Sequence, residues 1–457
     1  MTSVKLGSYV PPNDKVEYLD LFVGVFFDGT KNNMNNSEER RANTPTYQCN
    51  GTDSDSSYQN DWSNVARLWD IYDKSKSIYL EGIGTEDGQK DSQMGYAFGT
   101  GSTGIRGKVR KACEKIFTDK LKSAIKSSGK KKLRSITFDV FGFSRGAAAA
   151  RNFVYEISKN EYRSKMTADP HTGIVSRYDS DGEATSLEVM PACGRLGEMF
   201  SAAGLKITPN QIKVRFLGIF DTVSSYSKYF SASPNFNDVE ELHLNQIGRA
   251  QNVVHFVAEN EHRKNFSLTH TNVGRERVFP GVHSDIGGSY ETDTEVVSEL
   301  ATSWTLKGNL DAFKAKLIKE AWYKEDQLKV TGGNMYWALE GRRFIYKEYS
   351  YIPLQYMAEH SQNHGLPLAK SKTETKYTIN GNPLLLRVKA RLRDYVMANG
   401  SQYVFSAELP RDPAQRQQQE DLRKLRNQYL HWSADRKSSY GIIQPMTPNA
   451  DGKRVTY

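Results

Sequence analysis

The sequence predicts an α/β fold with a mostly parallel central sheet and helices on both faces. Three stretches carry the prediction. Tyr18–Phe27 (Y-L-D-L-F-V-G-V-F-F) is an apolar run of strand length that breaks into the turn Asp28-Gly-Thr-Lys-Asn-Asn33. Arg134–Phe141 (R-S-I-T-F-D-V-F) is a second such run, followed by G-F-S-R-G and then four alanines that open a helix. Ile212–Phe220 is the third, and it ends in Asp221-Thr-Val-Ser224. Open α/β sheets place their chemistry at the C-terminal ends of strands, where all three of these turns fall.

The second stretch holds the strongest motif. Gly142-Phe-Ser144-Arg-Gly146 is a G-x-S-x-G nucleophile elbow in its strand–turn–helix setting. The turn is too tight for side chains beside the serine, and Ala147–Ala150 let the next helix lie close to the sheet. The alternative is an ordinary turn whose serine caps the helix. After the first strand, the loop 28–33 is positioned to supply an oxyanion donor, Gly29 or Thr30, to pair with the N–H of Arg145. Residues 34–61 are polar with no apolar period and predict a long surface loop; their acidic residues lack the spacing of a calcium loop. A short helix is expected over Asn64–Tyr72 and a strand over Ser77–Leu80.

The glycine-rich stretch Gly95–Gly107 contains no phosphate-loop pattern. Its G-x-G-x-x-G (Gly99, Gly101, Gly104) has no fitting acidic residue downstream, so it predicts a loop feeding a helix over 105–126. Residues 159–210 are rich in Asp, Ser, Gly and Pro and predict a lid insertion over the sheet. Asp221, just past a buried strand, is placed as the acid of a hydrolase triad. A helix is expected over Ile247–Glu259, then a strand over Glu276–Phe279. The glycine-lined loop after that strand bears His283, and the order Ser144, Asp221, His283 is that of α/β-hydrolases. His283 with Asp285 has H-x-D spacing, the alternative being a metal site without a third ligand nearby. Residues 291–457 read as mostly helical, clearest over Leu310–Trp322, Leu384–Met397 and Pro413–Tyr429. His360 and His364 read as structural, with His431 in reserve as the base.

Composition sets the outer limits. The chain has 457 residues, a net charge of +9, and 25 Tyr, 20 Phe and 6 Trp, which suits a folded protein meeting an anionic partner. No nucleic-acid-binding signature accompanies the charge. Three cysteines in no paired spacing argue against a disulfide framework or a cysteine zinc site. The polar stretch 1–15 carries no signal-peptide core, and no apolar run reaches membrane-spanning length. The expectation is synthesis as a soluble cytoplasmic protein, exported if at all by a route that reads no N-terminal signal.

Five stretches together resemble one family: V-G-V-F-F-D-G-T-K-N-N (23–33), G-F-S-R-G-A-A-A-A-R (142–151), F-L-G-I-F-D-T-V-S-S (216–225), V-F-P-G-V-H-S-D-I-G-G-S-Y (278–290) and Y-I-P-L-Q-Y-M (351–357). Their ordered set is similar to the α/β-hydrolase domain of the G-x-S-x-G phospholipase effectors of bacterial type VI secretion. The resemblance implies phospholipase A activity on membrane glycerophospholipids, delivery to the periplasm of a rival cell, a spike protein as carrier and an immunity protein as antagonist. Carried over by motif, the triad is Ser144, Asp221 and His283, with no metal or other cofactor. The expected organisation is a catalytic core over 16–306, a mainly helical part over 307–433 and a tail over 434–457. The rival expectations are a carboxylesterase or thioesterase acting on soluble esters, and a non-catalytic binding module.

Overall fold

The structure, a computed structural model, describes residues 16–92, 101–129, 131–168, 174–224, 238–304, 308–333, 336–439, 446–449 and 452–457. Among these, six strands form one sheet: β1 (Tyr18–Phe27), β2 (Ser77–Leu80), β3 (Lys132–Phe143), β4 (Ile212–Phe220), β5 (Val253–Ala258) and β6 (Arg275–Phe279). Their order is β6-β5-β4-β3-β1-β2, and each pairing is parallel. The C-terminal ends of β1, β3 and β4 therefore lie side by side, and the three turns noted in the sequence meet at one edge.

The period-two alternation of strand side chains divides the core between the two faces. Val23, Val25 and Phe27 of β1 and Ile136, Phe138 and Val140 of β3 pack with the elbow helix Arg145–Glu156, with Ile105–Lys115 and with Gly194–Ala202. Phe26, Phe141 and Phe143 point the other way, onto the helices Asn64–Ile71 and Tyr351–Asn363. Midway along β3 the buried Asp139 is answered by the Arg215 guanidinium at 2.5 and 2.9 Å and by the Tyr72 hydroxyl at 2.7 Å.

Several expectations change. Val253–Ala258, inside the stretch read as a helix, is strand β5, every residue of it buried. Residues 34–61 are not all loop: helices Met34–Arg41 and Pro45–Asn50 stand there, the first capped by the Asn33 side chain. The part beyond 291 is only partly helical. It carries a three-stranded antiparallel sheet of β7 (Asp293–Ser303), β8 (Leu328–Gly333) and β9 (Tyr336–Ile345), with β9 in the middle. Helices over Gly308–Lys319, Pro383–Met397 and Pro413–Gln428 are found close to where they were expected.

Within 159–210 two small antiparallel pairs, Tyr162–Arg163 with Val189–Met190 and Lys165–Ala168 with Val175–Tyr178, precede the helix Gly194–Ala202. Gly95 and Gly99 of the glycine-rich stretch, and Ser225 of the β4 motif, lie outside the described residues. The described parts of the segment read as a tail run alongside residues 262–270, with bridges Arg263–Pro448 and Leu268–Thr456.

Candidate active site

β3 ends at Phe143 and the next helix begins at Arg145, so Ser144 alone makes the turn. Its backbone sits at φ +58° and ψ −128°, a region a non-glycine residue occupies at a cost of about 1–3 kcal/mol. The flanking glycines have a steric reason. A Cβ on Gly142 would stand 2.4 Å from the Gly146 carbonyl oxygen, and one on Gly146 would stand 2.2 Å from that of Asp28. The Ser144 N–H donates to the Phe220 carbonyl at 3.0 Å, and its own carbonyl accepts from Val223 N–H at 3.3 Å. Those two bonds fasten the elbow to the end of β4, beside Asp221.

Asp221 is fully buried, at φ +41°. Its Oδ2 accepts from His283 Nδ1 at 2.5 Å and its Oδ1 from Ala258 N–H at 2.9 Å. The structure thus brings two of the three expected groups into direct contact across 62 residues. Burial pushes the Asp221 carboxyl up, but the Arg454 charge and the bonds from His283 and Arg454 outweigh it and hold the group ionised well below the usual range. An ionised carboxylate only accepts, so Nδ1 of His283 carries the proton. Burial lowers the His283 pKa despite Asp221, which keeps the imidazole neutral with Nε2 as its acceptor. The ring lies against Phe143, the residue before Ser144, at 4.6 Å between centroids, and takes the edge of Phe266 at 4.9 Å. Its backbone N–H donates to Glu261 Oε2 at 3.2 Å.

The early loop differs in detail from expectation. The Gly29 N–H donates to Asp28 Oδ1 at 2.7 Å, so this donor is turned to its own neighbour. Thr30 lies against the elbow, its Oγ1 accepting from Arg145 Nε at 2.8 Å. Asp28 is buried, with its pKa pushed up to about 6 by burial against bonds from Ser63, Tyr79 and Gly29. His283 and Asp285 do not share a partner: Asp285 Oδ1 accepts from His431 Nδ1 at 2.7 Å. That bond also accounts for His431, whose ring stacks on Tyr290 at 3.7 Å.

Three contributors escaped sequence reasoning. Arg454 donates through Nη1 and Nη2 to both oxygens of Asp221, at 2.7 and 2.8 Å. Glu261, held ionised against its burial by the Arg263 charge, anchors the His283 backbone. Phe143 supports the imidazole. Only Phe143 had a local signal, as the x of the elbow motif.

Comparison with known proteins matches this arrangement to one family. The family model described as "T6SS, Phospholipase effector Tle1-like, catalytic domain" covers residues 23–308, from within β1 through β7, and so includes His283, which opens the short helix His283–Gly287 rather than lying on the expected loop. A search of curated proteins found no match. Among solved structures, a Tle1 effector bound to the VgrG spike of the type 6 secretion system aligns over 99% of this chain and 98% of its own, at 19% identity and a TM-score of 0.59. An uncharacterized protein from Pseudomonas aeruginosa aligns over 84% of this chain and 51% of its own, at 18% identity and a TM-score of 0.39. With its family match spanning well over half its length, the chain belongs to the Tle1-like phospholipase effectors of type VI secretion.

Proposed function

We propose that the protein is a serine-dependent phospholipase A that cleaves acyl esters of membrane glycerophospholipids in a rival cell. The observation that carries this is the Asp221–His283 hydrogen bond standing beside a strained serine elbow. His283 takes the proton of Ser144 through Nε2 as Oγ attacks the ester carbonyl, and Asp221 stabilises the imidazolium that forms. The Arg145 N–H, first of the elbow helix, and the Thr30 N–H receive the oxyanion. The lysolipid leaves with the proton from His283, and water then releases the fatty acid by the same steps. Each step is proton transfer and acyl transfer among this chain's own groups.

The insertion 159–210 exposes Met166, Ile174, Val175 and Leu187, which suit an apolar lid meeting the bilayer. Among the described residues no helix is long and apolar enough to cross a membrane. We assign delivery to a spike protein, as in the VgrG-bound neighbour, with the periplasm of the target cell as destination and an immunity protein as antagonist. The test is fatty-acid and lysolipid release from mixed-lipid liposomes by the protein and by Ser144→Ala. Serine-dependent release of both products is expected, and their masses give the position cleaved. Activity retained by Ser144→Ala refutes the reading; serine-dependent cleavage confined to short soluble esters replaces it with an esterase, and inactivity on both with a binding module.

A further inference from the structure

We infer that Arg454 is a positioning residue for the hydrolysis proposed above: its guanidinium locks the Asp221 carboxylate onto His283 and sets how tightly His283 holds a proton. The inference rests on the reading of Ser144, Asp221 and His283 as the reacting set. Arg454 lies 233 residues from Asp221 in sequence, and its side chain is only 7% exposed. Its two terminal nitrogens straddle the carboxylate, one on each oxygen, while Nε donates to the Phe266 carbonyl at 2.6 Å. A two-pronged pair of this kind fixes the plane of the carboxylate as well as its charge. That plane is what aims Oδ2 at His283 Nδ1.

The backbone holds Arg454 in place. Leu268 N–H donates to the Val455 carbonyl at 2.9 Å, Tyr457 N–H to the Leu268 carbonyl at 2.8 Å and His270 N–H to the Tyr457 carbonyl at 2.9 Å. The receiving segment is itself fastened to the site. Thr269 N–H donates to the Thr222 carbonyl at 2.9 Å, and Arg151 of the elbow helix donates to the carbonyls of Thr269 and His270 at 3.0 and 2.9 Å. The segment 452–457 thus adds one extended layer along residues 266–270, in the connection from β5 to β6, which is itself tied to the end of β4 through Thr222.

The electrostatic consequence has a definite sign. With His283 neutral, the buried Asp221 anion faces the Arg454 cation; among the described residues the fields of Arg263 and Glu261 on the 259–263 segment and of His255 on β5 also reach the pair. Arg263 and Glu261 already form their own ion pair at 2.8 Å. His255 donates to Glu276 through Nδ1 and accepts Thr222 N–H at Nε2, so it is the neutral tautomer. Removing Arg454 leaves Asp221 without this cation, and the imidazolium form of His283 becomes the remaining way to neutralise it. His283 then holds its proton to higher pH, and the general base is lost on the acid side.

The experiment is the pH profile of kcat/KM on liposomes for the wild type, Ser144→Ala, Arg454→Gln, Arg454→Lys and Val455→Ala, with Arg454→Ala assayed with and without guanidinium. In Arg454→Gln the acid limb is expected to move up by about one unit or more, so that the loss of rate is greatest at low pH and shrinks as pH rises. Arg454→Lys keeps the charge but spans the two oxygens poorly; its limb stays near the wild-type position while the rate falls. Millimolar guanidinium restores part of the rate to Arg454→Ala, and Val455→Ala, which alters an exposed side chain of the same segment, keeps the wild-type profile. A rate loss in Arg454→Gln that is equal at every pH, together with no rescue of Arg454→Ala by guanidinium, overturns the inference and leaves a purely structural strap. If Arg454→Gln does not fold, Arg454→Lys decides: an acid limb displaced by about a unit despite the retained charge overturns it. If Ser144→Ala is inactive while Arg454→Gln matches the wild type, only this inference falls. If Ser144→Ala is active, the reading beneath it falls as well.

Discussion

Asp221→Asn is the most informative single change, because each oxygen of the side chain it alters has two donors. Oδ1 takes Ala258 N–H and Arg454 Nη1; Oδ2 takes His283 Nδ1 and Arg454 Nη2. An asparagine must put its NH2 at one of these places. At the Oδ2 position it faces the guanidinium and forces His283 into the tautomer that cannot accept the serine proton. At the Oδ1 position it opposes two N–H donors at once. The catalytic effect expected is a loss of about 10⁴-fold in kcat, the scale of wrong-tautomer variants in Ser-His-Asp enzymes. The stability effect is about 3–5 kcal/mol, because Arg454 is left as a buried charge without its partner. Initial rates of fatty-acid release, normalised to the folded fraction from circular dichroism, read the first; urea unfolding reads the second. A variant within tenfold of wild-type rate, with an unchanged unfolding midpoint, would refute the roles given to both Asp221 and His283.

Gly146→Ala should destabilise by at least the 1–3 kcal/mol of an overpacked core, since its Cβ meets the backbone oxygens of Asp28 and Phe27 rather than a movable side chain; urea midpoints check it. Asp28 binds its proton up to about 6 when folded, against a reference of 3.8, so stability falls as pH rises between those values. Asp28→Asn should remove that slope, worth at most about 3 kcal/mol, in unfolding measured at pH steps from 4 to 7. His431→Gln should cost about 1–3 kcal/mol through its buried partner Asp285 and leave the acid limb of the rate profile unmoved; a moved limb would return His431 to candidacy as the base.

The parts legible in the sequence were those whose signal is local. β1, β3 and β4 are long apolar runs, and the elbow states its geometry in two glycines. β5 was misread because a strand buried on both faces, V-V-H-F-V-A, shows no alternation to separate it from a buried helix. β7 misled in another way. Its buried residues Val297, Leu300 and Ser303 recur every three positions, since the pairing with β9 shifts register between Val297 and Ala301, and three-residue spacing imitates a helix. Met34–Arg41 buries Asn36 and Ser37 rather than an apolar stripe, so no period announced it. Arg454 stands in a polar stretch where nothing nearby distinguishes it from a surface cation, and only the folded chain brings it to Asp221.

The ring of Phe143 fills space that the loop after β1 and the short helix His283–Gly287 would otherwise contest. A methyl on Gly29 would come within 2.4 Å of it and one on Gly287 within 1.9 Å, while the His283 imidazole lies against it. Tolerance at positions 29 and 287 is therefore conditional on position 143. Alanine at 287 becomes admissible only alongside a smaller side chain at 143, and that smaller side chain removes the surface on which the imidazole rests. Sequence drift in the segments around the serine is coupled through one aromatic ring, and a lineage that reshapes this site must change Phe143 before, or together with, its glycines.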